Sequence, residues 1–474
     1  MKAFTEPLLS LAGFEEMTKT AEKSSGLISV TGCIDAQKSQ MIYAFGGHRK
    51  NKLIVTFGEQ KARELYDEYS FFDKEVVYYP SKDVLFYQSD IRGNLLTAER
   101  IRALKAIREQ ERVTLVTTFD ALMNTMAPIE KMWENVLTLE QGQLLDLKEI
   151  QAALIRMGYE KEYQVQTMGQ FSVRGGILDV FPLTEENPIR IELWGDEIDT
   201  IRYFDCESQK SIENIDRVSI YPAAELVLSD EEKTGGIEKL KAEAKRVSDK
   251  LRKQMKTEEA HRVTVMADEL TEEWGELSMY AGMDAFLSYF FDERVGLLDY
   301  FKPSDSLIFF DELTRCAEQG KLTETEFSES MKQRLAMGYI LPGQMNGLFT
   351  EKEIVAKLEK YSCIALGALD NKANGLHQLG SYGIHCQSVS PYNNSFELLI
   401  KDLKRYKKNG YRVILLSGSR TRAKRLSEDI TDQGITCFYT ENYDHELLEG
   451  QIMVCYGKVR RGFEYPILKF AVIT

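Results

Sequence analysis

The chain has 474 residues, 43% of them hydrophobic and 28% charged, which is ordinary for a globular protein with room for about three domains at ~150 residues each. Its formal net charge of −14 argues against a protein that wraps DNA through general basicity, although a local basic patch remains open. The seven cysteines are scattered and never spaced C-x-x-C, which argues against a disulfide framework or a zinc site.

Short apolar runs alternate with helical patterns in residues 1–125. Strands are predicted at 26–32, 53–57, 75–80 and 113–118, and helices at 37–46, 59–69 and 95–109. Strands that alternate with helices of 10–15 residues are typical of a parallel sheet with helices on its faces. This segment is therefore predicted to be the first part of an α/β lobe.

Residues 126–221 carry a different pattern, with several β-like stretches separated by turn residues. IRIELW at 189–194 alternates with period two, Gly195-Asp196 supplies a turn, and a second β-like run follows, which predicts a hairpin. The alternation separates an apolar face from a polar one, namely Ile189, Ile191 and Leu193 from Arg190, Glu192 and Trp194. The segment is predicted to be a small β-rich α+β domain inserted into the lobe.

The α/β character returns in residues 222–375, after a strongly charged helical stretch at about 226–260. Apolar strands are predicted at 306–312 and 361–369. Residues 380–474 predict a second α/β lobe, with an amphipathic helix whose apolar stripe is Phe396, Leu399, Leu403 and Tyr406. Because the sequence stops directly after an apolar strand, we expect a fragment of a longer protein.

Residues 32–39, GCIDAQKS, nearly match the phosphate-binding motif G-x-x-x-x-G-K-[ST] between a strand and a helix. Gly32, Lys38 and Ser39 match the motif, but Gln37 stands where the second glycine is required. A Cβ at that position obstructs the tight loop, and Asp35 brings a negative charge close to where phosphates bind. The motif therefore favours a vestigial loop over a working nucleotide site.

Asp311 and Glu312 follow an apolar strand, as the acidic pair of a nucleotide-hydrolysing motor does. Without a phosphate cradle this pair has nothing to act on, so no catalytic residue, bound cofactor or metal is predicted. The alternative is a divergent nucleotide-hydrolysing helicase fragment that uses Lys38, Ser39 and both acids.

Two long stretches, GQFSVRGGILDVFP at 169–182 and IRIELWGDEIDTIRYFD at 189–205, closely resemble the inserted domain shared by UvrB and the transcription-repair coupling factors of the Mfd family. Residues 281–312 and 331–354 resemble the part of UvrB that completes its nucleotide-binding lobe. UvrB keeps an intact phosphate loop and an aromatic-rich β-hairpin that grips damaged DNA. Here Gln37 interrupts the phosphate loop, and the short connection after 113–128 leaves no room for the β-hairpin. Both departures favour the N-terminal, UvrB-like region of a coupling factor.

The resemblance implies a degenerate RecA-like helicase lobe with an inserted domain, followed by a decayed second helicase lobe. It further implies that the inserted domain recruits UvrA, through Arg174, Arg190 and Trp194 when the family's contacts are carried over by motif position. The blander alternative is that Trp194 packs under a loop and Arg190 pairs with Glu192. In the family, ATP and Mg²⁺ belong to a C-terminal motor that is absent here. RNA polymerase and double-stranded DNA also bind elsewhere, and contact with the C-terminal region masks the UvrA surface.

A DNA-binding module is the remaining alternative. Two basic runs of the last unit could carry it, Lys401, Lys404, Arg405, Lys407 and Lys408 in the first, and Arg420, Arg422, Lys424 and Arg425 in the second. A solvated helix face is the ordinary explanation of such runs. No apolar run approaches the ~18 residues of a membrane helix, and the N-terminus lacks a signal-peptide pattern, so a cytoplasmic protein without a membrane partner is expected.

Overall fold

The computed structural model describes residues 1–45, 50–82, 93–276, 283–369, 375–392 and 395–474. The strands in chain order are β1 (Gly26–Thr31), β2 (Asn51–Thr56), β3 (Val76–Tyr79), β4 (Val113–Thr118), β5 (Leu137–Glu140), β6 (Glu160–Lys161), β7 (Gln170–Arg174), β8 (Ile177–Val180), β9 (Ile189–Trp194), β10 (Glu197–Phe204), β11 (Ser211–Ile215), β12 (Arg217–Ile220), β13 (Ser306–Asp311), β14 (Ser362–Leu366), β15 (Gln378–Gly383), β16 (Gln387–Ser388), β17 (Arg412–Ser417), β18 (Phe438–Tyr439), β19 (Ile452–Tyr456), β20 (Phe463–Tyr465) and β21 (Phe470–Ile473).

The α-helices are α1 (Lys2–Thr5), α2 (Phe14–Lys23), α3 (Asp35–Phe45), α4 (Glu59–Tyr69), α5 (Gly93–Glu109), α6 (Phe119–Met123), α7 (Ile129–Glu134), α8 (Leu147–Arg156), α9 (Asp230–Lys253), α10 (Thr257–Glu276), α11 (Leu287–Phe290), α12 (Leu313–Ala336), α13 (Glu351–Leu358), α14 (Phe396–Lys408) and α15 (Arg420–Asp432). Short 3-10 helices lie at Glu6–Ser10, Met283–Phe286, Leu297–Tyr300, Pro303–Asp305 and Pro342–Asn346. None of the helices in the described ranges combines the length and the apolar character that crossing a membrane requires.

A seven-stranded sheet forms the first lobe, in the order β15-β1-β14-β13-β2-β4-β3. All of its neighbouring strands pair in parallel. Strands β4, β13 and β14 are buried along their whole length, as expected of a parallel sheet with helices on both faces. The predicted α/β class, a parallel-sheet lobe with an inserted small domain, is confirmed.

The inserted sheet has the order β11-β10-β9-β8-β7-β6 and is antiparallel except at β6–β7. Strand β9 pairs with β10 in the predicted hairpin, and the apolar face of both strands joins one core with α8. Strands β5 and β12, where the chain enters and leaves this region, pair with each other. The inserted unit therefore begins and ends on neighbouring strands.

The charged stretch predicted as one helix forms two helices, α9 and α10, which pack against each other. The chain reverses at residues 254–256, where Met255 adopts a positive φ of 60°. Leu240 and Val263 are fully buried in the core that the two helices share. The charges predicted to be solvated lie on the outside of this hairpin.

The last sheet has the order β16-β20-β21-β17-β19-β18, with α14 and α15 packed on it. Of the predicted apolar stripe of α14, Leu399, Leu403 and Tyr406 are buried, whereas Phe396 in the first turn is more than one-third exposed. Strand β15 pairs with β1 of the first sheet, so that sheet extends past the predicted limit at residue 375. The bounds of the four predicted domains otherwise stay predictions.

One apolar core joins the first lobe to the last sheet. It contains side chains from α1 to α4 and β1 together with side chains from the last sheet, among them Ile414, Met453 and Tyr465. The last unit is therefore packed directly over the end of β1, where the phosphate-loop motif lies.

Candidate functional site

The outer face of the inserted sheet carries the three residues implied in partner binding. Trp194 ends β9, and its side chain is 85% exposed, so no loop of the described chain covers it. Gly195 follows with a positive φ of 65°, which places the turn of the β9–β10 hairpin immediately after the indole. An exposed tryptophan on a paired strand offers a large apolar area that another protein can contact.

Arg174 and Arg190 meet at one carboxylate on the same face. Asp179 of β8 lies directly opposite Arg190 of β9, and its side chain is only 1% exposed. Arg190 donates from Nε and Nη2 to the two Asp179 oxygens at 2.7 and 2.8 Å, and Arg174 donates from Nη2 to Oδ2 at 2.8 Å. The buried carboxylate therefore joins two guanidinium groups from different strands.

Arg190 is held on several sides. Its guanidinium lies over the Phe204 ring at 4.3 Å and donates to Gln209 Oε1 at 2.8 Å. The hydrogen bonds to Asp179 raise the pKa of Arg190 above its ordinary value. The alternative in which Arg190 pairs with Glu192 is not what the structure has, because Glu192 accepts instead from Arg202.

The sheet brings two of the three implied contact residues together and keeps the third apart. Arg174 and Arg190 share Asp179, whereas Trp194 lies four residues along β9 from Arg190, at about 13 Å by the rise of a strand. Sequence reasoning missed Asp179. The signal was present, because period two in ILDV puts Ile177 and Asp179 on the polar face.

The phosphate-loop motif occupies the predicted place between β1 and α3. Gly32 has a positive φ of 77°, and a Cβ there would overlap the carbonyl oxygen of Ile384. The N–H groups of Gly32 and Cys33 donate to the carbonyls of Ala368 and Gly367 at 3.2 and 3.0 Å. Backbone donors that would cradle a phosphate at this end of the loop are therefore already paired.

Lys38 is buried among carboxylates. Its ammonium is ion-paired with Asp311, with Glu312 at 2.9 Å and with Asp35 at 3.0 Å, while the lysine side chain is 1% exposed. Thr56 donates to the second Asp311 oxygen at 2.9 Å. The two acids at the end of β13 thus hold the lysine that a working loop would offer to phosphate.

The same three acids have the spacing of a metal site. Asp35, Asp311 and Glu312 each offer a carboxylate oxygen, all within 4.8 Å of one another. The ammonium of Lys38 neutralises part of this negative charge. Binding of a divalent cation here would place it against that ammonium, which opposes it electrostatically.

Gln37 faces the last sheet. Tyr465 of β20 is positioned to donate its hydroxyl to Gln37 Oε1 or Gln40 Oε1, each at 3.2 Å, and all three side chains are buried. Gln37 Nε2 and the hydroxyl of Ser39 are buried without a hydrogen-bond partner among the described residues. The side chain that replaces the second glycine is thus part of the contact between the lobes.

The two basic runs of the last unit lie mostly on the surface. Exposed members are Lys401, Lys404, Arg405, Lys408, Arg420, Arg422, Lys424 and Arg425, and Lys407 is half-buried. Arg405 pairs with Asp402 and Arg420 with Glu441, at 3.2 and 3.3 Å. The DNA-binding alternative stays open on this geometry.

Comparison with known proteins identifies the region of the inserted sheet. Residues 137–226 match the family model of the UvrB interaction domain. The chain is 27% identical over 423 residues to the transcription-repair-coupling factor of Bacillus subtilis (strain 168), covering 89% of the chain and 35% of that protein. It is 26% identical over 457 residues to the factor of Staphylococcus haemolyticus (strain JCSC1435), covering 94% of the chain and 38% of that protein.

A similar match extends over 474 residues of the factor of Staphylococcus aureus (strain MRSA252), at 26% identity, with 97% of the chain and 39% of that protein covered. The chain therefore spans less than two-fifths of the length of these curated relatives. The resemblance inferred from the motifs, to the UvrB-like N-terminal region of transcription-repair coupling factors, is confirmed.

Proposed function

We propose that this chain is a recruitment module of transcription-coupled repair, which binds UvrA through the outer face of β7–β10. The observation that carries the proposal is the match of residues 137–226 to the UvrB interaction domain. The outer face of that region presents an open indole at Trp194 and a partly exposed guanidinium at Arg174.

The chemistry of this face suits a protein partner. Trp and Arg are the side chains most enriched among residues that dominate binding energy. Both stand on paired strands of one sheet, so little backbone has to be ordered when a partner docks. The Glu192–Arg202 ion pair lies on the sheet between Arg174 and Trp194 and adds a polar contact area without net charge.

We further propose that this segment does not hydrolyse ATP, because Lys38 is neutralised by carboxylates and Gln37 is packed against the last sheet. The longer protein would supply the ATP-dependent DNA translocase that displaces stalled RNA polymerase. Within it, contact with the C-terminal part would mask the UvrA-binding face until the motor engages.

Titration calorimetry of the purified chain with UvrA tests the proposal, with Arg174→Ala and Trp194→Ala as the informative variants. Each is expected to weaken binding by about 1–3 kcal/mol, the range for truncating an interface anchor. Arg246→Ala and Met255→Ala are matched controls, since both side chains are exposed on the α9–α10 hairpin, away from the inserted sheet. Wild-type affinity in folded Arg174→Ala and Trp194→Ala, or no binding by the folded wild type, would contradict the proposal.

A further inference from the structure

The two arginines that share Asp179 are bound in unequal ways. Arg190 uses two nitrogens on the carboxylate, gives a further bond to Gln209 and is covered by Phe204, and its side chain is 13% exposed. Arg174 uses one nitrogen on the carboxylate and is 35% exposed. In the described part of the chain, Arg174 Nε and Nη1 have no hydrogen-bond acceptor.

The unequal geometry gives the two arginines different parts: Arg190 fixes Asp179, and Asp179 in turn holds Arg174. A bidentate guanidinium–carboxylate pair fixes the orientation of both groups in one plane. Asp179 is fixed in this way by Arg190, and its Oδ2 then has one remaining direction in which to accept from Arg174. The free edge of the Arg174 guanidinium is consequently aimed away from Asp179, toward solvent.

We propose that Asp179 and Arg190 are positioning residues that hold Arg174 in its binding orientation, and that Arg174 and Trp194 touch the partner. This inference rests on the proposed function and assigns separate roles within the same face. A mobile arginine side chain loses conformational entropy when it binds a partner. If neighbouring residues already order the side chain, less entropy is lost on binding. Arg190 then contributes to affinity without contacting the partner.

A double-mutant cycle on binding to UvrA tests the assignment. Asp179→Asn removes the carboxylate charge while it keeps the size of the side chain. If Asp179 acts through Arg174, the substitution weakens binding by about tenfold in the wild-type background and by less than about twofold in an Arg174→Ala background. Equal losses in both backgrounds would overturn the assignment, because they would show a role independent of Arg174.

Arg190→Lys provides the second arm. Lysine keeps the charge but lacks the fork that holds both Asp179 oxygens, so binding should fall by a similar factor and again only when Arg174 is present. Glu192→Gln is the matched control, since it breaks the neighbouring Arg202 pair on the same face without touching Asp179. Its effect should add to that of Arg174→Ala without coupling.

A measurement without UvrA separates failure of this inference from failure of the proposed function. Nuclear magnetic relaxation of the Arg174 Nε–H group, in arginine-labelled protein, reports whether the side chain is ordered. Order is expected in the wild type and in Glu192→Gln, and its loss is expected in Asp179→Asn and Arg190→Lys. Unchanged order in these two variants would overturn the inference, whether or not UvrA binds.

Discussion

Lys38 remains charged at a buried position because two carboxylates compensate for the lost water. Burial alone disfavours the ammonium, but Asp311 and Glu312 raise its pKa above the ordinary value of lysine. The protein around Asp35 displaces some water, which by itself would raise the pKa of this carboxyl, yet Lys38 and Lys61 outweigh that effect and lower the pKa to about 2. Residues that match a nucleotide-binding motif in sequence are thus ion-paired with one another in the structure.

Removing the Lys38 charge should destabilise the first lobe. Lys38→Met leaves Asp311, 1% exposed, without its cation, and breaking such a buried pair costs about 3–5 kcal/mol. Lys61→Met is the matched control, because its partner Asp35 is 69% exposed, and the expected loss is below about 1 kcal/mol. Urea unfolding measures both free energies, and equal small losses would show that the buried cluster contributes little.

Restoring the missing glycine should not restore nucleotide binding. In Gln37→Gly the loop regains its second glycine, but Lys38 stays paired and the N–H groups of Gly32 and Cys33 stay bonded to backbone carbonyls. Calorimetry with ATP and Mg²⁺, and an assay of phosphate release, are expected to show neither binding nor turnover. Saturable binding of ATP by this variant would contradict the interpretation of the loop as vestigial.

The sequence predicted the altered residue of the loop but not its surroundings. Gln37 is visible as a departure from a spaced motif. Its hydrogen-bonding partner Tyr465 lies in the last unit, and no local pattern relates residues so distant in the chain. Period two likewise predicted the face of Arg190, whereas the preference of Arg190 for Asp179 over Glu192 depends on which strands are neighbours.

At the scale of single elements, α9 contains two adjacent glycines with opposite surroundings. A Cβ on Gly236 would overlap the ring of Phe290, while a Cβ on Gly235 would meet nothing within 4 Å. Gly236 therefore allows the close approach of α11 to α9. Gly235 has no such packing role and only lowers the intrinsic stability of the helix.

Alanine at these two positions should change stability in opposite directions. Gly236→Ala forces Phe290 out of its place and should cost about 1–3 kcal/mol, the range for overpacking a core. Gly235→Ala should gain about 0.5–1 kcal/mol, because alanine loses less backbone freedom in a helix. Thermal unfolding of the two variants checks the prediction, and a shift of the same sign in both would contradict it.

Strand and helix positions were predictable where the pattern is local, as in the β9–β10 hairpin. The reversal between α9 and α10 was not, because the charged stretch has helical character on both sides of residues 254–256. The two helices on either side of the reversal bury Leu240 and Val263 in one shared core, and only the folded hairpin provides that burial. Tertiary packing decided that boundary.

At the scale of the whole molecule, a buried ion pair ties the exit of the inserted region to the first lobe. Glu225 accepts from Arg100 Nε of α5 at 2.7 Å and pairs with Lys82 at 3.0 Å. Arg100 is fully buried and also donates to the carbonyl of Pro80 at 2.6 Å. Three separate segments of the chain therefore depend on the charge of one carboxylate.

Stability should fall with acid in a window set by Glu225. Burial disfavours its charged form, but Arg100 and Lys82 lower its pKa from an ordinary 4.5 to about 2. A lowered pKa contributes stability above pH ~4.5, and that contribution is lost as pH falls from about 4.5 toward 2. Denaturant unfolding between pH 7 and pH 3 should show this loss, and Glu225→Gln should be less stable at pH 7 with a flatter slope. An unchanged slope in that variant would contradict the assignment.

Removing one hydroxyl group should weaken the contact between the first lobe and the last sheet. Tyr465→Phe removes the hydroxyl shared by Gln37 and Gln40 and leaves two buried amide oxygens with one donor fewer, at a cost of about 1–3 kcal/mol. Tyr443→Phe is the control, since its hydroxyl bonds an exposed carbonyl at Tyr456. Urea unfolding compares the variants, and an equal effect of both would show that burial at the lobe contact is unimportant.

The pairing of β5 with β12 makes the inserted region a unit that is joined to the first lobe at one place. The chain leaves the first lobe and returns to it on two strands that lie side by side, about 4.8 Å apart. Everything between them can be lengthened, lost or exchanged while the surrounding parallel sheet keeps its strand order.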